Sequence, residues 1–422
     1  MRLDEAGRIA PVSRGRPYAT IAGERRMTKS FKAVLLAAAG FGAVAAAGGT
    51  AQAQFRQTDL ASDIPGLATV TDPNLKNTWG LTAIPGATPF WVDNQVTGTS
   101  SLFSVSGATG VAPADFFPNP PGPNTNFVAV PGGGVPTGPT GIVANAGTSF
   151  GIAGGPAVFI FANLNGSISA WNMSNINSAT QNAATVVVPA SGGLYTGLAI
   201  NTAGGLLYAA NGVTGKIDVF DSSFAATTVS GGFVDPNLPS GFVPFNVEDI
   251  GGKVFVAYAP AGRPAQTGAT AGMGFIDTFD ENGNLLQRLV SGGPLASPWG
   301  MAIAPAGFGA FGDDLLVGNF SYVGPSEINA FNVTTGKFVG TIPVDNGPGN
   351  SAGGLWALMF GGGGPSGDPM TLYFTDGLNG ETNGLFAAIT VPEPSTWAMM
   401  LLGFGSLAFF AARRRRVALS VI

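Results

Sequence analysis

The chain has 422 residues, 65 of them Gly and 31 Pro, with no Cys, no His and only 10% charged residues. Without Cys there are no disulfides, thiolate metal sites or thiol nucleophiles, and without His the zinc-hydrolase, Ser-His-Asp and Cys-His chemistries are missing by inventory. The net charge of −5 conceals an asymmetry: Phe55 to Thr390 holds seven Lys/Arg against twenty Asp/Glu, an acidic body with no electrostatic footprint for nucleic acid.

At the front, residues 1–26 are polar and Arg-rich without periodicity, and read as an upstream extension. Met27-Thr-Lys-Ser-Phe-Lys32 then precedes the apolar run Ala33 to Ala47 and the exit Ala51-Gln-Ala53. A basic start, an apolar middle and an Ala-x-Ala exit predict a secretory signal peptide over 27–53, a helix cleaved after Ala53, with Met27 as the natural start.

From residue 54 to 390 one pattern recurs six times: a Gly or Trp-Gly with a short apolar run, an apolar strand ending in Asn or Asp, then a strand whose clearest copies read x-Ile-x-x-Phe-Asp, as in Lys216-Ile-Asp-Val-Phe-Asp221. The copies begin Gly80-Leu-Thr-Ala-Ile84, Gly141-Ile-Val-Ala144, Gly197-Leu-Ala-Ile200, Val247 to Ile250, Gly300-Met-Ala-Ile303 and Leu355-Trp-Ala-Leu358. Their second strands end at Asn94, Asn163, Asn211, Tyr258, Asn319 and Asp376. Fourth strands are expected at Thr185 to Val188, Leu286 to Val290 and Phe338 to Ile342. Four-stranded units at this spacing predict an all-β, six-bladed β-propeller. A two-domain sandwich is the alternative, but it has no need of six matched units. The last copy lacks an outer strand, so the segment near Phe55 to Ala61 is expected to pair beside Leu385 to Val391 and close the ring.

In a propeller the strand ends line the central channel. Asn94, Asn163, Asn211, Asn319 and Asp376, with Tyr258 in the same register and with Glu248 and Asp249 nearby, form a candidate cation site. Convergent amide and carboxylate oxygens suit a hard cation such as Ca²⁺. The competing reading is that Asn and Asp simply favour strand ends and turns. Trp79, Trp299 and Trp356 share one repeat position, suited to core packing or, at an exposed mouth, to stacking on sugar rings. Gly132-Gly-Gly134 and Gly361-Gly-Gly-Gly364 lack the Lys-Ser/Thr of a phosphate loop and read as flexible loops. Asp277, Asp280 and Glu281 near Gly283 read as a hairpin turn. Arg263 and Lys253 are too isolated to form an anion patch.

The chain ends Val391-Pro-Glu-Pro-Ser-Thr-Trp-Ala, an uncharged apolar stretch over 396–412 and Arg413-Arg414-Arg415-Arg416. The stretch is long enough for a short transmembrane helix, and the arginines keep its end cytoplasmic. Residues 391–416 closely resemble the PEP-CTERM sorting signal of Gram-negative bacteria. The resemblance implies recognition of Pro392, Glu393 and Pro394 by an exosortase, a membrane-embedded cysteine protease. It also implies an inner-membrane-anchored precursor, then attachment at the cell surface or release. Such proteins are associated with exopolysaccharide and biofilm matrix.

The body resembles an uncharacterised bacterial family of secreted propeller-like proteins, through Asp72-Pro-Asn-Leu-Lys-Asn-Thr-Trp-Gly-Leu81, Pro244-Phe-Asn-Val247, Leu289 to Gly300 and Leu315-Leu-Val-Gly-Asn-Phe320. More distantly the blades are similar to NHL-type six-bladed propellers. Six-bladed calcium lactonases use Asn, Asp and Glu near the channel, though some related hydrolases also use a His. Two functions are therefore expected to compete. One is a non-enzymatic binding or matrix protein that holds a polysaccharide or surface protein by its channel face or its loops Pro113 to Pro139 and Gly361 to Pro369. The other is a calcium-dependent lactonase or esterase.

Overall fold

The computed structural model describes residues 55–114, 126–132, 137–176 and 182–392. The extension 1–26, the signal segment 27–53, Glu393, Pro394, the segment 396–412 and Arg413–Arg416 lie outside the described residues. Among the described residues no helix is long and apolar enough to cross a membrane.

Among the described residues six blade sheets, antiparallel but for the short strand Val70–Thr71 that runs parallel to Arg56–Ser62, follow one another along the chain, with a separate two-stranded hairpin, Gly151–Ile152 and Gly155–Pro156. Blade 1 comprises Thr78–Thr82, Phe90–Asn94 and Thr99–Ser106, with two rim strands, Gly110–Pro113 and Phe127–Ala129, both paired to the third. Blade 2 runs Pro139–Ala144, Phe159–Asn163, Ile168–Trp171 and Thr185–Val188. Blade 3 runs Tyr195–Ile200, Leu206–Asn211, Lys216–Asp221 and the stub Ala226–Thr227. Blade 4 runs Phe242–Ile250, Lys253–Pro260, Phe275–Asp280 and Leu285–Ser291. Blade 5 runs Pro298–Ile303, Asp314–Asn319, Glu327–Asn332 and Phe338–Pro343. Blade 6 has Leu355–Phe360, Leu372–Leu378 and Asn383–Thr390, and takes its fourth strand, Arg56–Ser62, from the front of the chain.

That last pairing is the predicted ring closure. Arg56 lies opposite Thr390 and Ser62 opposite Leu385. Asp63 locks the end of the pair: its carboxylate accepts from Asn383 Nδ2 at 2.7 Å, Gly384 N at 3.0 Å and Lys76 Nζ at 2.9 Å. The first strand of every blade packs on the first strands of both neighbours, blade 6 against blade 1 included.

The burial pattern explains why the second strands read as unbroken apolar runs rather than alternating ones. Each is covered on both faces by neighbouring blades, so Phe90–Asn94, Phe159–Asn163 and Leu372–Leu378 are buried throughout. The rim strands are mostly exposed or half-buried, apolar residues such as Val186, Leu286 and Phe338 included. Apolar clusters fill the junctions between blades, and the one between blades 6 and 1 extends through Trp299, Phe245 and Phe320 across the axis. Each fully buried Leu, Val or Phe in them contributes about 1.5–3 kcal/mol.

Asx turns close the blades where the sequence places Asp or Asn after an aromatic. Asp221 Oδ1 accepts the backbone N–H of Ser223 and Ala225, and Asn332 Oδ1 those of Thr334 and Thr335. Asp280 does the same for Asn282 and Asn284, so this segment is the hairpin turn the sequence suggests. The Gly361–Gly364 stretch departs from expectation. Its backbone bonds to Ser366, Gly367 and Thr371, while Pro365 O and Gly367 N clasp Val105 of blade 1. Glycine serves close approach here: a Cβ on Gly362 would sit 2.5 Å from Pro85 Cα.

Candidate functional site

In all six blades the pairing of first and second strands slips register near the start of the first strand. A slip of this kind is a β-bulge, which re-aims one side chain. The residues there are Trp79, Thr140, Thr196, Phe245, Trp299 and Trp356. The next residue is small in five of six blades, for a steric reason. A Cβ on Gly80 would lie 2.5 Å from Thr140 O, one on Gly141 2.6 Å from Leu198 N, and one on Gly300 would overlap the Trp356 carbonyl.

The three tryptophans thereby meet at the propeller axis. Trp79 stacks on Trp356 with ring centroids 3.6 Å apart, and Trp299 stands edge-on to Trp356 at 5.7 Å. Phe320 stacks on the same indole at 4.4 Å. Trp299 Nε1 donates to Thr196 O and Trp356 Nε1 to Asn77 Oδ1. Trp79 Nε1 has no partner among the described residues, although Trp79 is only 1% exposed.

The sequence-predicted oxygen ring occupies one register, as its repeat position implies. Asn94, Asn163, Asn211, Tyr258, Asn319 and Asp376 each pair with the residue just before the slip. Their polar groups are engaged locally. Asn94 Nδ2 donates to Thr99 and Ser101, Asn163 Nδ2 to Ser167 and Ser169. Asn211 Oδ1 accepts from the backbone of Leu194, Val213 and Thr214. Asn319 bonds Ala296 N and Pro294 O; Asp376 accepts from Asn346. Among the described residues no two of these side chains share a hydrogen-bond partner. Asn94 Oδ1, Asn163 Oδ1 and Asp376 Oδ1 have none among the described residues. Asp249 lies at the opposite end of its strand, paired with Val254. Among the described residues no group of three Asp or Glu side chains is disposed to hold a metal ion. Pro392 follows two residues after the closing strand of blade 6.

Two mouths flank the indole plug. At the far ends of the first strands is a 280 Å³ cavity whose lining includes Leu81, Val143, Ile200, Met359 and the acids Glu248 and Asp249. Burial pushes the Glu248 carboxyl up to about 8, offset in part by the hydrogen bond from Asn246 and reinforced by Asp249. Glu248 is therefore largely protonated at neutral pH.

At the near ends is a larger cleft of 480 Å³. One wall is apolar: Leu164, Leu194 and Val213. The floor carries Asn77, Trp79 and Gln95, and the facing wall Arg263, Gln266 and Glu381. Arg263 comes from a one-turn helix, Arg263–Thr267, in the loop between the second and third strands of blade 4. This loop is longer than its counterpart in any other blade. Ser297 Oγ, Ser321 Oγ and Tyr322 N bond its backbone and fix it to blade 5. The Arg263 guanidinium lies 4.3 Å from the Phe320 ring centroid and 5.7 Å from that of Trp356, and pairs with Glu381. Burial lowers its pKa to about 10, so it stays charged at neutral pH. Asn77 Nδ2 donates to Glu381 Oε1 at 3.0 Å and to Gln95 Oε1 at 3.2 Å. A chain of polar contacts thus runs from Trp356 through Asn77 and Glu381 to Arg263.

Sequence reasoning set Arg263 aside as isolated and passed over Asn77, Gln95 and Glu381. The length of the blade 4 loop was the available signal.

Comparison with known proteins agrees with the tail. The PEP-CTERM protein-sorting motif matches residues 390–416. The chain therefore carries a surface-directing export signal, which implies processing by an exosortase-type enzyme. Three uncharacterized proteins of Acanthamoeba polyphaga mimivirus are similar to this chain. They are 29%, 34% and 29% identical over 67%, 35% and 54% of it, and the chain spans 67%, 40% and 42% of their lengths. Among solved structures, a Bacteroides thetaiotaomicron protein of unknown function aligns at TM-score 0.46 and 10% identity, covering 80% of this chain and 76% of its own. Kuenenia stuttgartiensis hydrazine synthase aligns at 0.43 and 14%, covering 75% and 79%. The Dos1 propeller aligns at 0.38 and 11%, covering 76% and 72%. The fold itself is carried by the six blades described above.

Proposed function

We propose that this chain is an exported, surface-sorted propeller that binds an extracellular polysaccharide without turning it over. The observation that carries this reading is the cleft at the Arg263 mouth. It sets an apolar wall against a fixed array of donors and acceptors, the lining expected of a binding site. The sorting motif supports the location, since a surface-directed protein meets glycans first. In the precursor the segment 396–412 anchors the body in the inner membrane until the protease acts at Pro392-Glu393-Pro394.

The test is affinity electrophoresis of the full-length chain, purified in detergent, through gels containing the host's extracellular polysaccharide. Retardation that leaves the polymer's length unchanged supports binding without turnover. Shortening of the polymer would sink that reading in favour of a hydrolase.

A further inference from the structure

Resting on that polysaccharide-binding reading, we propose that the cleft takes a neutral sugar ring. Its vicinal hydroxyls would be held by Arg263 and Glu381 acting together. A pyranose has a C–H face and a hydroxyl edge. Leu164, Leu194 and Val213 offer a surface for the first, and the polar wall serves the second. A guanidinium presents parallel N–H donors that suit two adjacent oxygens. Glu381 accepts from an O–H beside them.

Charge decides between a neutral and an acidic sugar. Arg263 and Glu381 are the charged side chains lining the cleft, and they already neutralise one another. A ligand carboxylate would approach Glu381 with no second cation in the lining, and like charges at that range repel. Displacing Glu381 instead would strand a carboxylate whose side chain is 16% exposed, leaving it only Asn77. The acidic body adds long-range repulsion of a polyanion.

Trp79 forms part of the cleft floor, and of the three equivalent tryptophans it alone keeps a buried N–H without a partner among the described residues. The site is also preset. Asn77 and Glu381 hold left-handed backbone at φ 50° and 69°. For Glu that conformation is strained, offset by the contacts that fix its carboxylate.

Calorimetric titration of the full-length chain with dextran, galactomannan and cello-oligosaccharides, against alginate and polygalacturonate, tests this. At least one neutral glycan should bind while the uronates do not. Arg263→Gln and Val213→Asp should each weaken that binding at least tenfold. Val213 is 64% exposed, so its substitution spares the fold even where Arg263→Gln disturbs the mouth. Binding to uronates alone, or neutral binding indifferent to both variants, overturns the proposal and leaves the polysaccharide reading standing. No binding to any of these polymers or to the host polysaccharide overturns both, and turns the search to a protein partner.

Discussion

Asn211 shows what a single amide does in this ring. Its Oδ1 accepts three backbone N–H groups and its Nδ2 donates to Asp218 at 2.8 Å. Asn211→Ala orphans these donors, and should cost about 2 kcal/mol in a denaturant titration, with an unchanged m-value. Glu248 sets a pH dependence. Its folded pKa, raised by burial to about 8, lies above the ordinary 4.5. Its contribution is therefore fully present below the unfolded pKa and is lost as pH rises through the folded one. Asp376, pushed to about 7 by burial, acts in the same sense. The chain should melt at a lower temperature at pH 8.5 than at pH 5, and Glu248→Gln should narrow that difference in thermal melts by circular dichroism. An unchanged difference would mean that Glu248 ionises freely in the fold. At this scale the sequence was half legible. The repeat put Asn94, Asn163 and Asn211 in one register, but a repeat cannot show which way an amide turns. Arg263 was illegible because its partner Glu381 lies 118 residues away.

The first strand of each blade is the element on which the site depends. Its bulge turns Trp79, Trp299 and Trp356 toward the axis, and in blades 1, 2, 3 and 5 the glycine after the bulge lets neighbouring strands touch. Gly300→Ala places a methyl onto the Trp356 carbonyl. The cost should be about 3 kcal/mol, since a backbone atom cannot step aside as a side chain can. Gly205→Ala, which faces open space, should change stability by less than about 0.5 kcal/mol. Equal losses in the two would deny that close approach explains the Trp-Gly pairs. The first strands begin earlier than the apolar runs suggest, at Thr78, Pro139 and Tyr195. Polar or cyclic residues at those starts hide strand from a hydrophobic pattern. Gly110–Pro113 and Phe127–Ala129 were hidden likewise, both being short and the first bearing a glycine and a proline.

For the whole molecule, six copies and one missing outer strand were enough to place the closure, because an unpaired blade edge must find a strand. The pairing of Arg56–Ser62 buries Leu60 and Ala61 completely. A chain beginning at residue 63 should lose cooperative unfolding or aggregate, seen by light scattering; cooperative melting at the wild-type temperature would show the closure to be dispensable. The closure also decides how the molecule carries mechanical load. On the proposed reading, a body tethered through its C-terminal tail and gripping a polymer at the Arg263 mouth would be pulled along Asn383–Thr390. That strand is bonded on both sides, to Leu372–Leu378 and to Arg56–Ser62. Tension along it shears two ladders at once, with many bonds sharing the force, instead of peeling one bond after another from a free edge.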